Sequence, residues 1–329
     1  MMSNFKWLRK TWILLRSNRW IRRILEGVIF FLIISLISFA VVKIAPGDIT
    51  MSLLKIDTVA VTTDEIEALR QELGLDIPLY QEYFTYMGNL LRLDLGKSLM
   101  TGRSVTSELL KAFPATLALA GSALFLTTVF TFIFGILSAR YANSWIDKCC
   151  TVLCLVGASL PTFWLGLLLL DLFAVRLKIV PSMGLNSWHG LILPAISLAI
   201  AMAPPYIKIF RNSLIEISHQ EFIRAARSRG LQKKVIFFYH IFRGSLIPVV
   251  TILGVSFGSL LGGAVIVEII FGIPGVGKLV VEAITRRDYA IIQGFILFLG
   301  IFIFAVNLLV DMSYCYLNPA ISLKEAERK

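Results

Sequence analysis

The chain is poor in charge: Asp, Glu, Lys and Arg make up only 16% of its 329 residues, against about a quarter in an ordinary soluble domain. It is also poor in the side chains that bind metals or act as nucleophiles. Its three histidines, His189, His219 and His240, lie far apart in sequence and match no H-x-x-x-H or H-E-x-x-H pattern, which argues against a zinc centre. The four cysteines, Cys149, Cys150, Cys154 and Cys315, sit in or beside apolar stretches, follow no zinc-ligand spacing, and read as small buried hydrophobes. No nucleophile stands beside a plausible base, so a membrane hydrolase is disfavoured. Acids are absent from residues 1–23, which hold seven Lys and Arg.

What is abundant is hydrophobicity, at 57% of residues, gathered into blocks. Crossing the hydrocarbon core takes about 20 apolar residues in helix. Six stretches qualify: 24–45, 115–139, 149–175, 191–210, 245–270 and 291–313. The fourth is the weakest, because it carries Pro194, Pro204 and Pro205. The first exceeds the length of a signal-peptide core, and no A-x-A-like site follows it, so it is expected to be retained. The fold class is therefore all-α, a polytopic membrane protein with six transmembrane helices.

The net charge of +11 clusters beside these spans, which points to membrane orientation and away from nucleic acid. The basic segment 1–23 is expected in the cytoplasm, and with it the connection 140–148, the loop 211–244 and the tail 314–329. From Lys208 to Arg243 there are eight basic and two acidic residues, a net of +6. The loop 46–114 carries ten acids and six bases, a net of −4, and is expected outside, as is 271–290. It is too long for a simple connector. Thr62 and Glu65 have capping-box spacing and Gly74 can end a helix, so a short amphipathic helix is expected there.

Residues 272–278 read Gly-Ile-Pro-Gly-Val-Gly-Lys, but Leu279 follows where a phosphate loop needs Ser or Thr. Nucleotide binding is rejected on that residue and on the absence of a soluble α/β context. Asp171 lies inside the third span, either as a pathway residue or as a partner in a hydrogen bond between helices. Gly254, Gly258 and Gly262 recur at four-residue spacing on one helix face. That face lets another backbone approach closely, from this chain or from a second subunit.

The cytoplasmic loop is the most informative segment. Residues 221–230 read Glu-Phe-Ile-Arg-Ala-Ala-Arg-Ser-Arg-Gly. Ile215, Phe222 and Ala226 fall on one helical stripe, and Gly230 suits the left-handed position that ends a helix. A short helix with a sharp glycine end can seat in a partner's groove, or the segment can be a positive-inside loop that meets no partner; composition alone does not choose.

At these residues the chain resembles the binding-protein-dependent ABC importer permeases, whose loop carries Glu, Ala and Gly at the spacing of Glu221, Ala225, Ala226 and Gly230. It is most similar to the dipeptide, oligopeptide and nickel group. The pattern Ala226-Arg227-Ser228-Arg229-Gly230 is followed by His240, Arg243 and Pro248, with Gly244 where the group has Asn. A second block comprises Gly262-Gly263, Glu268, Phe271, Pro274, Gly275 and Gly277, then Ala283-Ile284, Arg287-Asp288-Tyr289 and Gln293, with Ala290 in place of the usual proline. Leu73-Gly74-Leu75-Asp76 with Pro78-Leu79-Tyr80, Pro114-Ala115-Thr116 and Pro161-Thr162-Phe163-Trp164 also match.

The resemblance implies a type I importer permease in the bacterial inner membrane. It would pair with a second, homologous permease, dock two cytoplasmic ATPases at Glu221–Gly230 and receive peptides or nickel chelates from an extracytoplasmic binding protein. ATP and Mg would be bound by the ATPases, and no cofactor by this chain. The rival expectation is an ion-coupled secondary transporter, which would call for inverted repeats and buried coupling charges.

Overall fold

The computed structural model describes residues 19–44, 78–98, 100–185 and 188–317. The capping-box helix expected at Thr62–Gly74 falls outside them, as do the start of the basic N-terminal segment and residues 318–329. Among the described residues there are helices and a single isolated bridge, Lys97 with Ser104, so the fold is all-α.

In chain order the helices are α1 (Arg19–Ile44), α2 (Leu79–Leu91), α3 (Val105–Arg140), α4 (Trp145–Ser159) and α5 (Thr162–Leu169), which runs on into a π-helical turn, Leu170–Arg176. A 3-10 turn, Trp188–Leu191, leads into α6 (Ile192–Ser218), and α7 (Glu221–Ser228) follows. Lys233–Val235 and a second π-helical turn, Ile236–Phe242, lead into α8 (Arg243–Ile270), then α9 (Val276–Thr285) and α10 (Tyr289–Leu317). Among the described residues five helices are long and apolar enough to cross a membrane, or six if the bent pair Trp145–Ser159 and Thr162–Arg176 counts as one span.

That bend corrects the expectation of one continuous helix over 149–175. The two halves meet at 101°. The cause is local: Leu160 precedes Pro161 and is extended, at φ −82° and ψ 126°, because the proline ring excludes the helical region for its predecessor. Pro204 and Pro205, by contrast, lie inside an uninterrupted α6. This span is the most enclosed of the candidates, so packing by neighbours holds the helix where sequence marked it weakest.

The chain divides into two compact units. One comprises residues 1–109 and 282–304. Here α1 meets α10: Phe30 stacks on Phe304 with ring centroids 5.2 Å apart, and the Ser38 hydroxyl donates to the Gln293 carbonyl at 3.0 Å. Tyr83 and Tyr86 of α2 bond to Ser35 and Ser38 of α1 at 2.9 and 3.1 Å, and Lys43 pairs with Glu82 at 2.6 Å. The second unit comprises 110–281 and 305–329, centred on α6. Phe210 is fully buried there against Phe132 and Phe242. A Cβ on Gly135 would stand 2.7 Å from the Phe210 ring, so that glycine makes room for the aromatic.

Candidate functional site

Helix α7 ends as a Schellman motif. The Leu231 N–H bonds the Ala226 carbonyl at 3.3 Å and the Gly230 N–H bonds Arg227 at 3.0 Å, the paired closure that a left-handed residue permits. Gly230 is that residue, at φ 76°, and open space surrounds its missing side chain. Conformation, and not crowding, is what requires glycine there.

Two residues anchor α7. Ile223 is fully buried and Ala226 nearly so, in a core with Tyr206, Phe210, Leu214, Ile236 and Ile241. Glu221, Phe222, Ala225 and Arg229 remain exposed. This corrects the expected stripe of Ile215, Phe222 and Ala226. The chain turns between Ser218 and Glu221, so Ile215 belongs to α6 and its helical register does not carry into α7. Phe222 points outward, edge-on to His240 at 6.4 Å between ring centroids. Glu221 occupies the first turn of α7, where the helix dipole favours a carboxylate. Among the described residues its carboxylate has no side-chain partner.

A buried ion pair that sequence reasoning missed braces the helix preceding α7. Arg211 of α6 grips Asp147 with two bonds, Nε to Oδ1 at 2.8 Å and Nη2 to Oδ2 at 2.6 Å. The Ser138 hydroxyl at the end of α3 donates to Oδ1, and the Asn143 N–H donates to Oδ2 at 2.9 Å. Asp147 is 6% exposed, so its charge is matched by the guanidinium fork and satisfied by hydrogen bonds, as a buried carboxylate requires. The end of α3, the turn at 141–144, the start of α4 and the α6 stem are thereby tied together. One sign was available in the sequence: Asp147 is the only acid between Glu108 and Asp171.

The loop that mimics a phosphate site holds a carboxylate of its own chain. Glu268, fully buried near the end of α8, accepts a bond from the Thr116 hydroxyl at 2.6 Å and from the Lys278 N–H at 2.9 Å. The Thr116 oxygen in turn accepts the Val276 N–H at 2.9 Å. Val276 and Lys278 belong to the first turn of α9, whose amides have no helical acceptors. Glu268 thus sits where a phosphate would sit, at a helix N-terminus behind a glycine loop. A Cβ on Gly275 would overlap its carboxyl group, and one on Gly277 would stand 2.8 Å from Oε2 and 2.7 Å from Val265. Pro274 lies between buried Ile273 and Gly275, in a turn closed by the Gly275 N–H on the Ile273 carbonyl at 2.8 Å.

Arg287 and Asp288 belong to the other unit. Arg287 is left-handed at φ 57°. Asp288, 2% exposed, accepts the Ser98 hydroxyl and faces the Ile291 N–H at 3.4 Å in the first turn of α10. Ser98 also accepts from the Thr101 N–H at 3.0 Å, which holds the 98–101 turn to the helix start.

The glycine face divides. A Cβ on Gly254 would meet Val310 of α10 at 2.8 Å, within this chain, whereas Gly262 faces open space and Gly258 is buried. Among the described residues Asp171 forms no bond to another helix. It pairs with Arg176 at 2.7 Å, both exposed, five residues apart, the spacing that stacks on a π-helical turn. Among the described residues no group of three or more His, Cys, Asp or Glu could hold a metal ion.

Residues 131–323 match the family described as binding-protein-dependent transport system inner membrane component, and residues 18–120 match its N-terminal counterpart. The chain is 36% identical over 307 residues to the glutathione transport system permease protein GsiC of Pectobacterium atrosepticum, spanning 93% of this chain and 99% of that protein. The Escherichia coli K12 protein of the same name is 35% identical over the same shares. Among solved structures, the inward-facing MetNI methionine ABC transporter aligns with a TM-score of 0.55 at 18% identity, over 64% of this chain and 96% of that one. An amino acid ABC transporter aligns at 0.51 and 16% identity, over 63% and 92%. These two likenesses concern the fold.

Proposed function

The chain belongs to the family of binding-protein-dependent transport system inner membrane components, and from that premise we propose that it is the permease through which a small peptide, of the size and charge of glutathione, enters the cell. As a multi-pass component of a bacterial inner-membrane ABC importer it works with ATPase and substrate-binding partners; the ion-coupled reading is not favoured. In the proposed assembly a second, homologous permease completes the pathway, two ATPases bind ATP and Mg in the cytoplasm, and this chain carries out no ATP chemistry. Both termini and the loop 211–244 are cytoplasmic in this reading, in keeping with the charge partition. Glutathione comes from the relatives' names; none of the relatives named above concerns nickel.

One observation carries the docking assignment. Helix α7 is fastened from beneath by Ile223 and Ala226 and closed by Gly230, while Glu221, Phe222, Ala225 and Arg229 face away from the chain. A short, rigid helix held this way can transmit force from a partner to the α6 stem. The test is uptake of labelled glutathione, a dipeptide and nickel in a strain lacking the gene, with and without the ATPases. Peptide uptake restored only when the ATPases are present supports the reading. Uptake driven by an ion gradient without them would overturn it, and restored nickel uptake alone would overturn the peptide assignment.

A further inference from the structure

A cavity of about 810 Å³ opens at the ends of α3 and α6, beside the π-helical turn Ile236–Phe242. Its wall is apolar, formed by Ile136, Leu214, Ile215, Phe237, Phe238 and Ile241. Its rim is basic: Arg140, Lys233 and Lys234 line it, all three exposed, and no acid does. Among the described residues none of the three cations is in an ion pair; Arg140 lies over the Tyr141 ring at 5.7 Å. The cavity sits where three apolar helices meet a strongly basic segment, net +6 from Lys208 to Arg243.

We propose that this cavity is a binding site for an anionic phospholipid, its phosphate held by Lys233, Lys234 and Arg140 and its acyl chains against Ile215, Phe238 and Ile241. Two observations select this occupant. A hydrophilic peptide would leave the apolar wall unmatched and its own polar groups unpaired. A neutral lipid would fill the wall but leave three cations uncompensated. An anionic amphiphile satisfies both, and clustered cations beside a membrane span attract acidic lipid by about fivefold in binding per residue. The site also touches the base of α7: Ile241 and Leu214 belong to the same core as Ile223 and Ala226. Occupancy would therefore stiffen the seat of the helix proposed to meet the ATPases. The proposal rests on the chain's being a membrane permease, and not on its cargo.

The experiment places the photoreactive residue p-benzoylphenylalanine at the exposed position 238, in the intact importer reconstituted in vesicles of equal phosphatidylglycerol and phosphatidylcholine. Adducts after illumination are identified by mass spectrometry. Phosphatidylglycerol adducts are expected to exceed phosphatidylcholine adducts by roughly tenfold or more. The preference should vanish in Lys233→Gln/Lys234→Gln and survive in Lys233→Arg/Lys234→Arg, which keeps the charge. Equal labelling of both lipids would overturn the proposal, as would crosslinks to an ATPase subunit or to the second permease in place of lipid. Because the readout is the adduct, a wrong cargo assignment would leave this result standing.

Discussion

The carboxyl group of Glu268 fills the space that a side chain on Gly275 would need. The acid and the glycine are seven residues apart in sequence, and each explains the other. Glu268 supplies acceptors to the first turn of α9 and to Thr116, and Gly275 and Gly277 let the loop close over it. Gly275→Ala should therefore cost about 1–3 kcal/mol through forced displacement in a packed site. In a Glu268→Ala background the same change should cost much less. Thermal denaturation of the purified importer, run as a double-mutant cycle, reads this directly; additive losses would show that the two residues do not share the space.

The ion pair at the α6 stem makes a second prediction. Asp147→Ala leaves the Arg211 guanidinium, its side chain 24% exposed, with no counter-charge, and should destabilise by about 2–3 kcal/mol. Asp147→Leu/Arg211→Met, which removes both charges, should recover much of that loss. Arg211→Lys should fall between, since an ammonium cannot reproduce the two-pronged bond. Melting temperatures in detergent would rank the four proteins. If the double variant were no better than Asp147→Ala, the loss would not come from an unpaired charge.

At Gly230 the limit is backbone conformation, because nothing crowds the site. Asn, which tolerates the left-handed region, should be accepted better than Ala, and Ala better than Val, with about 1–2 kcal/mol separating glycine from alanine. Membrane levels should be unchanged, while Gly230→Asp and Glu221→Lys should reduce both ATPase co-purification and peptide uptake. Normal uptake and co-purification in both variants would remove the docking role from α7.

Asp171 should prove dispensable. Its pair with Arg176 is exposed on both sides, and such pairs contribute about 0–1 kcal/mol. Asp171→Asn should leave melting temperature and uptake within error of the parent. A loss of uptake at normal membrane level would restore Asp171 as a pathway residue.

Two glycines on one face should behave differently. Gly254→Leu would drive a side chain into Val310 and weaken the chain itself, whereas a Cβ on Gly262 has no neighbour within 4 Å among the described residues. Melting of the isolated permease should fall only for Gly254→Leu. A drop in recovery of the second permease for Gly262→Leu, with the chain's own stability intact, would place that position at the subunit interface; unaltered recovery would assign it to lipid.

Much of this protein is decided by sequence alone. Hydrocarbon cannot hydrogen-bond a backbone, so a long apolar run has one outcome, a helix, and its length is countable residue by residue. The glycine end of α7 and the Leu160–Pro161 break are likewise local: each follows from one residue's own conformational limits, and the break was readable from Pro161 by that rule. Other features needed the folded chain. That α6 runs through Pro204 and Pro205 depends on how closely it is enclosed. Arg211 and Asp147 are 64 residues apart in sequence and Glu268 and Thr116 are 152 apart, with no periodicity to link them. Which face of α7 points inward was misjudged because a turn at 219–220 resets the register between Ile215 and Phe222. Apolar patterning tells which segments leave water; only packing in three dimensions decides which buried charge meets which partner, because a charge's partner is chosen by proximity in space and carries no signature along the chain.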